Sequence, residues 1–141
     1  MGITFAEITI KNAADMSEVD RGGRAERDVR QITVQAVVDT GAGSLVISDE
    51  VCQQLGLKIE GLRGATVAGG GRIVCKRTEP VRILWKDRDT VCTALVMPGE
   101  KNVLLGAIPL EDMDLIVNPV KQELVGAHGD EIVCIVKRAG F

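Results

Sequence analysis

Asp39 ends an apolar run and opens a glycine turn. In Ala36-Val37-Val38-Asp39-Thr40-Gly41-Ala42, aliphatic residues deliver a carboxylate into a segment that also holds Gly43. A charge at the end of a buried strand costs desolvation unless it is hydrogen-bonded or shared. A carboxylate held in this way can serve as a general acid or base. The same residues also read as an Asx turn, in which Asp39 only bonds nearby backbone. On this segment alone both readings stand.

The elements that must position Asp39 follow from hydrophobic periodicity. Ile3-Thr4-Phe5-Ala6-Glu7-Ile8-Thr9-Ile10 alternates and reads as a strand. Lys11 to Arg27 is polar, contains Gly22 and Gly23 and has no apolar period, so it reads as a hairpin connection or loop. Val29 to Val38 is a second strand, with Ile32, Val34, Ala36 and Val38 on one face and Asp39 at its end. Ser44 to Ile47 resumes extended structure. Ser48 is a helix N-cap with Asp49 and Glu50 in the first turn, and the short helix Asp49 to Leu55 stops at Gly56.

Ala68-Gly69-Gly70-Gly71-Arg72 is the tip of a hairpin that continues through Ile73 to Arg77. Pro80 to Trp85, Thr90 to Met97 and Asn102 to Gly106 are further strands, the second closed by Pro98-Gly99. Ile108 to Met113 fits a helical turn or two. Asp114 to Val117, Gln122 to Val125 and Glu131 to Val136 complete the set. Turn signals at intervals of roughly 8–12 residues match a sandwich or barrel. The fold class is all-β, closed or nearly so, with one or two short helices.

The chain has 141 residues, consistent with a single domain over 1–141. Aromatics are 2% of it, so Val, Ile, Leu and Ala must build the core. Net charge is -3, which supplies no basic field for nucleic acid. The apolar runs are too short to span a bilayer, and no signal peptide is evident, so no membrane partner and a cytoplasmic location are expected. Cys52, Cys75, Cys92 and Cys134 are irregularly spaced beside a lone His128, which argues against a zinc site and for reduced, buried thiols.

Taken together, the order of these segments resembles the retropepsin-like aspartic peptidases (clan AA), especially their small bacterial single-domain members. The resemblance rests on Val37-Val38-Asp39-Thr40-Gly41-Ala42, on Val46-Ile47, and on the helix that ends Leu55-Gly56-Leu57. The hairpin Thr66-Val67-Ala68-Gly69-Gly70-Gly71 corresponds to the flap. Leu104-Leu105-Gly106, with Leu110 after it, corresponds to the element packed behind the catalytic loop. It covers Phe5 to Val125.

The resemblance implies a closed or partly open β-barrel of the acid protease fold. It implies an aspartic endopeptidase that hydrolyses peptide bonds in extended polypeptides, with no cofactor or metal. Such chemistry uses two carboxylates sharing a proton, one as base and one as acid. Asp39-Thr40-Gly41 occurs once here; Asp89-Thr90-Val91 lacks the glycine, and Asp112-Met113-Asp114 lacks both threonine and glycine. The second carboxylate is therefore expected from a second copy of the chain across a twofold axis, making a homodimer a requirement for activity.

Site roles carry over residue by residue. Asp39, Thr40 and Gly41 are the catalytic set: the acid or base, a hydroxyl directed at the partner's loop, and a backbone N–H close to the carboxylates. Ala42 and the flap residues Ala68, Gly69, Gly70 and Gly71 contact substrate. Ala42 stands where larger relatives carry serine, which implies a less acidic working pH. Gly69-Gly70-Gly71 is looser than the usual flap, and Ala107 replaces an arginine of viral members. The terminal strands Ile3 to Ile10 and Glu131 to Val136 are candidates for an intersubunit sheet. The few aromatics imply aliphatic pockets and cleavage between apolar residues. Two other readings remain: a non-catalytic retropepsin-like module for dimerisation or peptide binding, and an unrelated monomeric β-barrel with a chance Asp-Gly turn.

Overall fold

The computed structural model describes residues 2–136. Strand β1 (Phe5–Asn12) alternates as expected, with Ala6, Ile8, Ile10 and Asn12 turned inward. It pairs antiparallel with β2 (Gln31–Val38), so that Ile8 faces Val34 and Phe5 faces Val37. After the Asp39 turn come β3 (Leu45–Ile47) and helix α2 (Asp49–Gln54). The intervening helix α1 (Ala13–Asp20) lies between β1 and β2. Ser48 caps α2 as expected, its Oγ accepting from the Val51 N–H at 3.2 Å.

The hairpin β4 (Ile59–Thr66) and β5 (Arg72–Thr78) follows, then β6 (Val81–Trp85), β7 (Arg88–Cys92) and β8 (Ala94–Val96). The two-residue strand β9 (Leu104–Leu105) precedes helix α3 (Ala107–Asp112). A separate hairpin, β10 (Leu115–Asn118) and β11 (Glu123–Gly126), is the last of the described elements. The main sheet has nine strands in the order β4-β5-β8-β3-β9-β2-β1-β6-β7.

The chain is thus mostly strand, with short helices, as the periodicity predicts. The sheet is open: β4 and β7 are its edges, and no pairing joins them. Barrel closure is therefore not observed. One edge is the β4–β5 hairpin, which projects from the core and leaves Leu62 68% and Val74 59% exposed. The core gathers the inward faces of β1, β3, β6 and β8 with Leu55, Leu105, Leu110 and Met113, and Trp85 packs against it. Each fully buried Ile or Leu here contributes about 1.5–3 kcal/mol.

Two expectations need correction. The polar segment read as a loop contains α1, with Asn12 as its N-cap accepting from the Asp15 N–H at 3.1 Å. Polar tertiary bonds hold this helix, rather than an apolar stripe. The Asp15 carboxylate is 1% exposed and takes a two-pronged bond from Arg30, Nε and Nη2 each at 2.8 Å. It also accepts the Arg30 main-chain N–H, and Arg24 approaches it at 3.4 Å. In addition, Asn12 Nδ2 donates to the Leu55 carbonyl at the end of α2.

The second correction concerns Glu131 to Val136. It forms no strand within the chain; a single bridge joins Glu131 to His128, and Ile132, Ile135 and Val136 stay exposed. A strand needs a partner ladder, and these residues have none in one copy. His128, assigned no role by its sequence context, bonds the Asp114 carboxylate through Nδ1 at 2.7 Å. Cys52 and Cys75 are buried free thiols as expected; Cys92 is half-buried, and Cys134 is exposed.

Candidate active site

β2 brings Asp39 to the turn. Its last residues pair in parallel with β9, Val37 opposite Leu104 and Val38 opposite Leu105. β9 also pairs antiparallel with β3, Leu45 opposite Leu105. One two-residue strand thus lies between the strands entering and leaving the Asp39 turn. The Asp39 N–H donates to the Leu105 carbonyl at 3.0 Å, and the Ala42 N–H closes the turn on the Asp39 carbonyl at 3.1 Å.

Gly106 completes the support from behind. The Ala107 N–H donates to the Ala42 carbonyl at 2.8 Å, and the Ile108 N–H donates to the Gly43 carbonyl at 2.9 Å. These bonds draw the backbone at 106 against the turn. A β-carbon on Gly106 would collide with the Ser44 carbonyl and would lie 2.6 Å from that of Ala42. Only glycine permits this approach.

The Asp39 carboxylate accepts the Gly41 N–H at 3.0 Å through Oδ1. The Asx turn of the simpler reading is therefore present, and it does not consume the group. Asp39 remains partly exposed and lines a cleft of about 850 Å³. Thr40 is exposed, and among the described residues its hydroxyl has no side-chain partner.

The opposite wall of the cleft is the stem of the β4–β5 hairpin, from Ala65 to Ala68 together with Cys75. Val67 and Gly71 close the hairpin with an N–H···O bond of 2.8 Å, and the Gly70 N–H donates to the Val67 carbonyl at 3.1 Å. Gly69 and Gly70 have φ of 92° and 88°, a conformation that glycine adopts without strain. The tip chemistry thus follows from backbone geometry.

The structure brings Asp39, Gly41, Ala42 and Ala68 to one cleft. Thr40, Gly69, Gly70 and Gly71 lie outside its lining, on exposed turns beside it. Sequence reading missed Ser44, Met97 and Glu100, which also line it. Only the Pro98-Gly99 turn signal lay near the last two, and it carries no chemical hint.

A family model described as "gag-polyprotein putative aspartyl protease" matches residues 26–121, more than half of the chain. The chain belongs to this retropepsin-like aspartyl protease family. The matched stretch runs from the turn before β2 through the Asp39 turn, the hairpin and the Leu104-Leu105-Gly106 element. It leaves out β1, α1 and the segment after Lys121. No curated protein matches the chain. No group of three or more His, Cys, Asp or Glu residues suited to a metal occurs among the described residues of this aspartyl protease family member. No helix among them is long and apolar enough to cross a membrane.

Proposed function

We propose that the protein is an aspartic endopeptidase whose active site forms when two copies bring their Asp39 turns together. The observation that carries this reading is the backing of the Asp39 turn by Gly106, beneath a cleft walled by the β4–β5 hairpin. A simple surface turn has no need of such support; a carboxylate that must be held within a fraction of an ångström does. Membership of an aspartyl protease family supports the same chemistry.

One Asp39 acts as base toward a water molecule while the other, protonated, donates a hydrogen bond to the scissile carbonyl. Like charges this close do not both ionise, so the pair titrates as one unit. The Thr40 hydroxyl reaches the partner's turn, and the Gly41 N–H orients the carboxylate. The flap, Ala68 to Gly71, closes over an extended peptide that lies against Ala42 and adds its backbone as a strand. Of the terminal segments Ile3 to Ile10 and Glu131 to Val136, the first is already laddered from Phe5 onward to β2 and β6, so the residues before Phe5 and the exposed 131–136 segment are the ones left to pair across the twofold axis. The whole of 1–141 forms this one subunit.

The test is cleavage of an unstructured apolar-rich protein across a broad pH range, at low and high protein concentration, with Asp39→Asn alongside. Specific activity that rises with concentration and drops at least about a thousandfold in Asp39→Asn is the expected result. Equal cleavage by the variant sinks the mechanism. A dimer that cleaves nothing at any pH points instead to the non-catalytic peptide-binding module.

A further inference from the structure

Glu100 is placed by a built turn. Met97-Pro98-Gly99-Glu100 closes with the Glu100 N–H donating to the Met97 carbonyl at 3.2 Å, and Gly99 has φ of 78°. Proline and glycine occupy the two central positions that a type II turn prefers. The carboxylate then folds back on the chain: Oε2 accepts the N–H of Lys101 at 2.9 Å and of Asn102 at 3.1 Å. Its position is fixed without any cation. Among the described residues no donor reaches Oε1, and no Lys or Arg pairs with the group.

This half-buried carboxylate lines the same cleft as Asp39, whose lining also includes Leu95, Met97 and Val67. The lining contains no Lys, Arg or His. A cleft that combines an aliphatic lining with a fixed, unpaired carboxylate suits a long side chain with an apolar stem and a cationic tip.

We infer that Glu100 makes a subsite of this cleft selective for a lysine or arginine side chain of the bound peptide. The inference deepens the peptide-cleft reading above and rests on it. In a twofold dimer the subsite occurs twice, once on each side of the peptide's centre. It modifies the expectation of purely apolar specificity: aliphatic walls remain, with one position reserved for a base.

The experiment has two arms. In the first, labelled peptides with an uncleavable hydroxyethylene linkage, identical except for lysine or norleucine at each position in turn, are titrated against the protein at dimer-forming concentration. Wild type is expected to bind the lysine peptide about tenfold more tightly at one position or at a symmetric pair, and Glu100→Gln to bring that ratio near one. Glutamine keeps an acceptor for the Lys101 and Asn102 N–H groups, so the loop is retained while the charge is removed. Equal binding of lysine and norleucine peptides by wild type, or a preference unchanged in Glu100→Gln, overturns the inference.

The second arm measures kcat/KM for the cleavable peptides with wild type, Glu100→Gln and Asp39→Asn. Cleavage that survives in Asp39→Asn defeats the peptidase mechanism but leaves the binding ratio to decide the role of Glu100. Cleavage that requires Asp39 but shows no lysine preference defeats Glu100 selectivity alone.

Discussion

The backbone of Gly106 lies so close to Ala42 that a β-carbon at 106 would stand 2.6 Å from the Ala42 carbonyl oxygen, the same oxygen that accepts the Ala107 N–H at 2.8 Å. Both partners are backbone, Ala42 in the Asp39 turn and Gly106 at the start of α3, and the Ala107 and Ile108 N–H bonds to the turn hold them together. Gly106→Ala is expected to destabilise the fold by about 2 kcal/mol or more. Urea unfolding checks this, and a loss below about 0.5 kcal/mol would show that the turn has room to move.

Ala42 sits at the cleft beside Asp39, without a hydroxyl. Under the proposed mechanism Ala42→Ser adds a donor to the charged form of the carboxylate pair, favouring that form. The acid limb of the pH–rate profile is then expected to move to lower pH while the fold is kept. A profile that stays in place would show that residue 42 does not address the carboxylates.

Asp15 offers a test of stability that is independent of function. The Arg30 side-chain bonds hold its carboxyl at about 2, below the ordinary carboxylate range, even though burial opposes this. A carboxyl lowered in the folded state stabilises the protein above the unfolded value, and that contribution disappears as pH falls through the folded one. Wild type is therefore expected to lose stability between about pH 4 and pH 2, on the order of 1–2 kcal/mol given the partly exposed Arg30. In Asp15→Asn that part of the pH dependence is absent and stability at neutral pH is lower. Parallel acid-unfolding curves for the two proteins would refute the assignment.

The Val133 N–H, and then His128, hold the Asp114 carboxyl below the ordinary carboxylate range. The bond to Val133 is 3.0 Å and, with the Glu131–His128 bridge, ties the 131–136 segment to the body of the protein. It is kept above that range and released as pH falls through the lowered value. Amide hydrogen exchange at Val133, corrected for intrinsic rates, is expected to lose protection on acidification in wild type. Asp114→Asn is expected to show weak protection with little pH dependence. Unchanged protection in the variant would mean that other contacts hold the segment.

Local signals made much of this legible in the sequence. The β1 alternation, the Ser48 cap, the Gly56 stop and the Gly69-Gly70 tip each act within a few residues, and each appears where its chemistry requires. α1 was hidden because its stabilising partner, Arg30, lies beyond its end, and Met16 and Val19 alone make no apolar stripe. Glu100 was hidden for a different reason: a glutamate after Pro-Gly looks like any solvated turn residue until the cleft is seen beside it. The openness of the sheet was equally out of reach, since periodicity reports which face of a strand is buried but not whether the first and last strands meet.

The placement of β9 between β2 and β3 also sets an order of events. During synthesis the Asp39 turn emerges long before Leu104 and Leu105, and until they arrive nothing lies between β2 and β3. Closing so long a stretch of chain is among the slower acts of folding. A nascent or truncated chain that stops short of Gly106 displays its aspartate on an unsupported turn. Support of the Asp39 turn is thereby deferred until residues 104–106 have been made and have folded back between β2 and β3.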